Sequence, residues 1–536
     1  TDKASFGKKN KTKVQRTFRE KDNTMKRYGK YAAAAALAAM LAAPEIAQAG
    51  KADDTLVWTT TREIAAVDPY YHGTREMIIL ATLLYDQLVF RDLKTGEFKP
   101  LLAKSWEWKG VTAIEFVLRD DVKFHDGSSF DADDVVYTLN HTSKKSNGVV
   151  VYRNTSWIKN VEKLGAHKVR INLRKPFPAA LAFLANGVSI LPSGHWDNAP
   201  KKPDGKPDYI RVKPIGTGPY IPVEVKAGEH VLMKKNPNYF SGSPKGKPQI
   251  GFIKFRTIKE VNTQIAELLT GGVNWIWDIP KAQAVRLKGM NNVVVENAKT
   301  FRISYIQFDI TGTSGKDMFT KKKVRQAFAH AINKKSISDN LVGEASVVIH
   351  SACHPDQFGC TQDVPIYDYN PAKAKALLKE AGYPNGFETD LYAYRQREFT
   401  EAVIGDLANV GIKVKFNLLQ YRALRSLIRK GTTPIQNMTW GSYSIPDVAA
   451  STSNFFKGSP DDRTMDKQVK EYLDVADNSV DPVKRKEYYK KAHTRIAAEA
   501  FWVPLFTYAK YYGWTNDLNL KTTPDEIPRF YSATWK

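Results

Sequence analysis

Apolar and polar residues between positions 84 and 140 follow a pattern that predicts a strand, a turn and a helix in succession. Asp126-Gly127 supplies a turn residue that tolerates a positive φ. Asp131 or Asp133 can then cap a helix, because a side-chain oxygen at this position accepts hydrogen bonds from free backbone N–H groups. The strand is indicated by the alternating apolar residues Ile114, Phe116 and Leu118, and the apolar side of the helix by Val135, Val136 and Leu139.

Apolar periodicity predicts further elements along the chain. The best-marked helix lies within residues 370–384, where Pro371 suits the first turn and Gly382 the C-terminal cap. A chain of 536 residues exceeds what one hydrophobic core usually supports, so two or more lobes are expected. Other helices are expected at 261–269, 324–333 and 399–410, and strands at 55–60, 253–255, 304–308, 413–418, 439–444 and 501–506.

The net charge is strongly positive. Eighty Lys and Arg against 56 Asp and Glu give +24, of which +17 lies beyond residue 49. The basic residues occur mostly in short, scattered pairs and form no stripe interleaved with aromatic residues, which argues against a nucleic-acid ligand. A high pI suits a protein held near an anionic membrane or wall.

Residues 25–49 have the three parts of a secretory signal peptide. Lys26, Arg27 and Lys30 form a positive region, residues 31–43 an apolar run, and Ala47-Gln48-Ala49 a cleavage site of small residues. The run is short for a span of a bilayer, which takes about 20 residues. We therefore expect export, and because no cysteine lies near the cleavage site, we expect a periplasmic protein without a lipid anchor.

Four short sequence motifs, spaced along the chain, resemble those of a known family. They are YDQL at 85–88, PLLAKSW at 100–106, VKFHDG at 122–127 and DDVVY at 133–137. In wording and order they resemble the family 5 solute-binding proteins of ABC transporters, which include peptide and nickel receptors. The phrase PIGTGPY at 214–220 fits the same family, and its Gly216-x-Gly218 lacks the residues of a phosphate loop, so we expect a tight turn there.

The resemblance implies an α/β protein with the two-lobed type II periplasmic-binding-protein fold and an extra subdomain in the first lobe. Lobe I would comprise residues 50–300 and 502–536, with the subdomain at about 89–211, and lobe II residues 303–498. The strands at 304–308 and 501–506 would cross between the lobes and form a hinge. The implied function is to bind a peptide-like or other small amphoteric solute and deliver it to the transmembrane subunits of an ABC permease, as a monomer without a cofactor.

The resemblance also places a ligand-binding segment after Trp440. In the peptide-binding branch an Asp three residues further on pairs with the ligand's α-amino group, whereas this chain has Tyr443 at that position. Because the Asp is replaced, the resemblance alone does not predict that the ligand is a simple di- or oligopeptide. Ser444 and Asp447 are further candidates, and Asp447 can equally well order the loop beside Pro446.

Four more candidates come from two other segments. Arg395 and Arg397 lie where family members place an arginine against a ligand carboxylate, although solvated surface charge is the alternative. Tyr70 and Tyr71, next to His72, lie in a segment that forms a loop at the mouth of the cleft in the family. Aromatic packing within the lobe is the competing interpretation of both tyrosines.

The two cysteines allow two interpretations. In an oxidising compartment, Cys353 and Cys360 form an isolated pair that predicts one disulfide. With His350 and His354 they are also chemically capable of binding a metal, but the spacing matches no standard zinc pattern.

Other classes of function remain as alternatives. They are a secreted hydrolase on a similar scaffold and a surface protein that binds a metal or haem complex or a polyanion. Among hydrolase motifs, neither G-x-S-x-G nor H-E-x-x-H occurs, so a binding protein rather than an enzyme is predicted.

Overall fold

The computed structural model describes residues 50–536, and the predicted signal peptide lies outside them. The strands are β1 Thr55–Thr60, β2 Val89–Arg91, β3 Phe98–Pro100, β4 Ala103–Trp108, β5 Ala113–Leu118, β6 Ile158–Gly165, β7 Lys168–Leu173, β8 Tyr220–Lys226, β9 His230–Lys235, β10 Phe252–Thr257, β11 Trp275–Trp277, β12 Val293–Phe308, β13 Phe387–Ala393, β14 Ile412–Leu418, β15 Ile435–Trp440, β16 Trp502–Thr515, β17 Leu518–Asn519 and β18 Thr534–Trp535. The α-helices are α1 Arg75–Leu84, α2 Ala132–Thr142, α3 Ala180–Asn186, α4 Val261–Thr270, α5 Lys281–Leu287, α6 Lys322–Ala331, α7 Lys334–Ile337, α8 Pro371–Glu380, α9 Arg397–Ala408, α10 Tyr421–Lys430, α11 Thr452–Phe456, α12 Lys467–Asn478 and α13 Pro482–Ala498. No helix within 50–536 is both long and apolar enough to cross a membrane.

Two long antiparallel strands connect the two lobes. The main sheet has the order β14-β13-β15-β12-β16-β11-β1-β10-β9-β8. Near its start β12 pairs with the end of β16, which also pairs with β11, and from Ile303 onward β12 pairs with β15 as well. The register shifts between Lys299 and Ile303, midway along β12. The strands β1 and β8–β11 therefore belong to lobe I and β13–β15 to lobe II, with β12 and β16 shared.

Lobe I contains an aromatic core and a second sheet. Trp58 of β1 packs on Phe255 of the parallel strand β10, with ring centroids 4.7 Å apart. A separate four-stranded sheet, β4-β5-β7-β6, packs with α2 around residues such as Phe116. Asp131 caps α2 and forms a capping box with Asp134, as the sequence predicts for a cap at this position.

Lobe II follows the helix signals in its sequence closely. The Asn370 side chain accepts a hydrogen bond from the Lys373 N–H, Pro371 opens α8, and Gly382 has a φ of 91° just beyond its end. The parallel strands β13, β14 and β15 share one hydrophobic core with α6 and α8. This core includes Leu391, Ile412 and Ile435 of the strands and Phe328 and Leu378 of the helices. The strand predicted at 439–444 is wrong in its bounds. The observed strand β15 ends at Trp440, and residues 441–444 form a loop.

The turn at Gly216 and Gly218 holds the C-terminal end of α1. The Gly218 N–H donates to the Leu84 carbonyl at 3.0 Å. A Cβ at Gly216 would lie 2.0 Å from the Leu84 oxygen, and one at Gly218 would lie 2.4 Å from the Leu83 oxygen. Both glycines are therefore explained by a close backbone approach, in agreement with the predicted tight turn.

Candidate ligand-binding site

The loop after β15 reaches from lobe II to lobe I. Ser442, Tyr443 and Ser444 follow Trp440 with φ values of 50°, 50° and 65°. Non-glycine residues in the left-handed region carry an unfavourable conformational energy of order 1 kcal/mol each. Such a loop persists only where surrounding contacts hold it in place.

Ser444 makes such contacts with lobe I. Its hydroxyl donates to the Asp525 carbonyl at 2.5 Å and accepts from Arg75 Nη1 at 2.5 Å. Its own carbonyl accepts from Asn186 Nδ2 at 2.6 Å. Because Arg75, Asn186 and Asp525 all belong to lobe I, the two lobes are in contact at this loop.

Trp440 and Tyr443 form an aromatic corner beside this contact. Their rings meet edge to face with centroids 4.9 Å apart, and Trp440 Nε1 donates to the Ala450 carbonyl at 2.8 Å. Arg153 of lobe I lies near both rings, with its Cζ 6.0 Å from the Trp440 centroid and 5.9 Å from that of Tyr443. Its buried Nη1 has no hydrogen-bond partner within residues 50–536. The corner thus combines aromatic faces with an unused cationic donor, both suited to a polar organic ligand.

A cavity lies between α1 and Tyr443. One face of α1 lines it with Met77, Ile78 and Ala81, and residues 185–189 and 527–531 form other walls. Tyr443 contributes from lobe II, so the cavity includes side chains of both lobes. A mainly apolar space with a few polar groups is typical of small-molecule sites.

A charge cluster, defined as Arg75, Asp278, Arg302, Arg395, Lys510 and Glu526, lies where the shared strands pass between the lobes. The Glu526 carboxylate lies 2.9 Å from Arg302, 2.9 Å from Lys510 and 3.3 Å from Arg75. Burial would raise the pKa of Glu526, but these cations hold it well below its usual value. Asp278 is shared by Lys510 at 3.2 Å and Arg395 at 3.5 Å. Four cations in this cluster therefore share two carboxylates.

Arg395, one of the predicted ligand residues, lies in this cluster. Its side chain is 14% exposed, and its buried Nε has no hydrogen-bond partner in the described part of the chain. The neighbouring Tyr394 hydroxyl lies 2.6 Å from Thr439 Oγ1. Burial would raise the pKa of Tyr394, yet Arg395 and Arg302 lower it below its ordinary value. The lowered pKa reflects the excess of positive charge around this hydroxyl.

Asp447 is bound within lobe II. Arg485 Nη2 lies 3.0 Å from each of its carboxylate oxygens, and one of these also accepts from the Ala449 N–H at 2.9 Å. Burial raises the pKa of Asp447 despite the ion pair with Arg485. These contacts favour the loop-ordering role over the role of a ligand residue.

Tyr70 and Tyr71 pack inside lobe I, which favours aromatic packing over their predicted role as ligand contacts. Tyr70 is fully buried, and its hydroxyl donates to the Ser189 carbonyl at 2.5 Å. Tyr71 stacks on Tyr209 with centroids 4.7 Å apart, and its hydroxyl lies 2.8 Å from His141 Nε2. Their neighbours in the same loop, Pro69 and His72, line the cavity instead.

Arg397 is a surface residue at the start of α9. Its side chain is 63% exposed, and Nε lies 2.7 Å from Glu401 one turn further along the helix. Its guanidinium lies over Phe416, on the edge strand β14. These contacts favour the alternative interpretation of Arg397, a solvated surface charge.

The two cysteines are joined by a disulfide, with Cα atoms 5.7 Å apart. Within residues 50–536, no group of three or more His, Cys, Asp or Glu side chains is arranged to hold a metal. The disulfide loop pairs with the segment that follows the ligand-binding loop. The Phe358 N–H donates to the Pro446 carbonyl at 3.0 Å, and the Val448 N–H donates to the Phe358 carbonyl at 3.1 Å.

Several side chains of this region were not predicted from the sequence. Arg75, Arg153 and the pair Lys510 and Glu526 come from three separate parts of the chain and belong to no recognisable motif. Only the fold brings them together, so no local pattern could have identified them.

The fold and the site together define a two-lobed α/β binding protein of the periplasmic type. A dipeptide-binding protein from Pseudoalteromonas sp. SM9913, solved in complex with Met-Leu, superposes with a TM-score of 0.79 at 23% identity, covering 90% of this chain and 100% of that one. The protein belongs to the bacterial extracellular solute-binding proteins, family 5, whose family model matches residues 97–463. The family resemblance drawn from the four sequence phrases is therefore confirmed, as is the predicted fold class.

Two relatives with stated ligands align over most of this chain. Heme-binding protein A of Haemophilus influenzae is 27% identical over 453 residues, which cover 79% of this chain and 81% of the relative. The glutathione-binding protein GsiB of Escherichia coli K12 is 28% identical over 457 residues, covering 82% and 86% respectively. Both relatives are named as binding proteins, and their stated ligands, heme and glutathione, differ widely in chemistry.

Proposed function

We propose that this protein is the periplasmic substrate-binding component of an ABC importer. It captures a peptide-like or other small amphoteric solute between its lobes and delivers it to the permease. The observation that carries the proposal is the contact of Ser444 with Arg75, Asn186 and Asp525 beside a cavity that contains side chains of both lobes. A ligand held there touches both lobes only when they are closed, so binding raises the closed population.

The proposed site consists of Trp440, Tyr443 and Ser444 in lobe II together with Arg395 and Arg153. The hinge lies where the register of β12 shifts between Lys299 and Ile303, close to the predicted lobe boundary. Lobe I then comprises 50–300 and 502–536, and lobe II 303–498. A bend at the two shared strands would leave the core of each lobe intact.

Export and partners follow from the same proposal. The signal peptide at 25–49 directs the chain to the periplasm, where the disulfide between Cys353 and Cys360 is stable. The protein acts as a monomer and meets the transmembrane subunits of its permease in the closed form. It releases its ligand chemically unchanged, as befits a binding protein rather than an enzyme.

The experiment is to purify the protein from its native periplasm, denature it and identify the released small molecule by mass spectrometry. The molecule is then returned to refolded protein and its binding is measured by calorimetry. We expect one-to-one binding and recovery of an unaltered ligand after prolonged incubation. Steady conversion of the ligand would instead establish a hydrolase, and steeply salt-dependent retention on heparin without a small ligand would establish a polyanion-binding protein.

A further inference from the structure

The charged side chains that line the cavity are all basic or histidine. They are Arg91, Lys245, Arg529 and His72, and no Asp or Glu of residues 50–536 belongs to the lining. A positively charged ligand group would therefore find no carboxylate among these lining residues with which to pair. An acidic ligand group would find basic side chains.

The three cations of the cavity differ in how far they are already neutralised. Lys245 Nζ lies 2.6 Å from Asp86 and donates to the carbonyls of Thr82 and Tyr85 at 2.9 Å each. Arg529 is paired with Asp525. No carboxylate of residues 50–536 lies within 4.0 Å of the Arg91 guanidinium. Arg91 is therefore the cation of this lining that lacks a carboxylate partner in the described chain.

Because Arg91 is partly buried, the absence of a carboxylate partner in the described chain is energetically unfavourable. Arg91 is only partly exposed, and burial lowers its pKa although Asp525 acts in the opposite direction. A partly buried cation without a counterion carries a desolvation penalty that an anionic ligand group would offset. A guanidinium is also the side chain best matched to a carboxylate, because its N–H groups bind both oxygens.

The surroundings of the cavity show the same imbalance. In the charge cluster four cations share two carboxylates, and Arg153 keeps a buried Nη1 without a partner within 50–536. Asp447, the acidic candidate for a ligand ammonium, is instead paired with Arg485 through both oxygens.

The remaining walls of the cavity are largely apolar. Met77, Ile78 and Ala81 line it from α1, and Ile527 and Tyr531 from the C-terminal segment. Such walls favour a ligand with an apolar part, because apolar surface buried against them is removed from water.

We propose that the cavity binds an amphipathic organic acid, with its acidic group at Arg91 and its apolar part against α1, and that it requires no free ammonium group on the ligand. This inference rests on the proposed function and names the class of solute that the lobes enclose. Within the range of peptide-like solutes, it selects those that are acidic and partly apolar.

Three probes with one apolar body and different charges test the inference. N-acetyl-dileucine is an anion, dileucine a zwitterion and dileucine amide a cation. We expect calorimetry on the dialysed protein to show that the anion binds at least about tenfold more tightly than the cation, since a carboxylate forms charge-assisted hydrogen bonds with a guanidinium and an ammonium group does not. Equal affinities, the opposite order, or no binding of the anion at millimolar concentration would overturn the inference.

Two substitutions assign the effect to Arg91. Arg91→Gln should weaken binding of the anion about tenfold or more, while Arg91→Lys should retain most of the affinity because it keeps the charge. Arg211→Gln is the matched control, because the Arg211 side chain is 76% exposed and is absent from the cavity lining. Unchanged affinity in Arg91→Gln would overturn the placement of the acidic group.

Scattering on the same samples separates this inference from the proposed function. If the zwitterion binds best and the protein becomes more compact, the ligand class is wrong and the binding-protein function stands. If a bound probe leaves the radius of gyration unchanged, lobe closure itself is contradicted.

Discussion

Arg75 of lobe I and Ser444 of lobe II are joined by a hydrogen bond of 2.5 Å between Nη1 and Oγ. Both side chains also donate to one carbonyl, that of Asp525, at 3.1 Å and 2.5 Å respectively. The bond links residues on opposite sides of the proposed hinge, so we expect it to exist only while the lobes are in contact. Its strength therefore contributes to the population of the closed form.

Ser444→Ala should weaken ligand binding by favouring the open form. The substitution removes a hydroxyl that bonds to a charged donor and to a buried carbonyl, an expected loss of about 1–2 kcal/mol, or roughly 5- to 30-fold in affinity. Calorimetry with the ligand recovered from native protein measures the change. Ser146→Ala, at an exposed position far along the chain, is the control and should bind as the parent does. Parent-like affinity in Ser444→Ala would show that this contact does not support closure.

Glu526→Gln should destabilise the folded protein at neutral pH. Removing the carboxylate leaves Arg75, Arg302 and Lys510 without their shared counterion, and breaking such a buried pair typically costs about 3–5 kcal/mol. Chemical denaturation at pH 7 measures the difference. Glu388→Gln is the control, because the Glu388 side chain is 77% exposed and its substitution should change stability little.

The effect of Glu526 should also depend on pH. Because its pKa is well below the usual value in the folded protein, its carboxylate stabilises the fold above about pH 4.3, the pKa of an unperturbed Glu in an unfolded chain. That stabilisation is lost as the pH falls further toward the folded pKa. The stability gap between the parent and Glu526→Gln should therefore be full at pH 6–7 and narrow below about pH 4. A gap that widened on acidification would have the wrong sign for this ion-pair network.

Loss of the disulfide should loosen the segment behind the ligand-binding loop. Closing so short a loop is expected to contribute about 2 kcal/mol to stability. Gln357 Nε2 donates to the Ile445 carbonyl at 3.0 Å, so the disulfide loop also holds the backbone beside Ser444. The double variant Cys353→Ser, Cys360→Ser should unfold earlier in denaturant and bind ligand more weakly. Reductant should shift the parent toward the variant and leave the variant unchanged, whereas an equal shift in both would point to another target.

Gly216→Ala and Gly405→Ala should have opposite effects on stability. The new Cβ at Gly216 would lie 2.0 Å from a backbone oxygen at the end of α1, so α1 or the turn must move, which we expect to cost at least about 2 kcal/mol. Gly405 lies in α9 with no heavy atom within 4 Å of its added Cβ. Alanine there should stabilise the helix by about 0.5–1 kcal/mol. Thermal unfolding of the two variants tests both expectations, and a Gly216→Ala protein as stable as the parent would refute the close-approach explanation.

Local signals in the sequence were sufficient for individual elements of the fold. Asn370, Pro371 and Gly382 act within a few residues of themselves, and the helix they predict forms between them. The site was harder to predict, because ligand contact depends on which lobe face a side chain occupies. Arg395 and Arg397 are two residues apart, yet one lies in the buried cluster and the other on the surface. Gln396 between them has a φ of 36°, and α9 begins immediately after it.

Long-range convergence accounts for what the sequence could not provide. Glu526 meets Arg75 and Arg302 from positions 451 and 224 residues away. Tyr70 is an aromatic residue of the kind that often lines a ligand-binding cleft. Its hydroxyl instead donates to the Ser189 carbonyl inside lobe I. Neither relationship has a local signature, so both required the three-dimensional structure.

Small-angle X-ray scattering with and without the ligand recovered from native protein tests the central claim most directly. The protein should adopt a larger radius of gyration when stripped of ligand and contract on saturation, and Ser444→Ala should require more ligand for the same contraction. A radius of gyration that is identical in the empty and saturated protein would contradict closure of the two lobes around a bound solute.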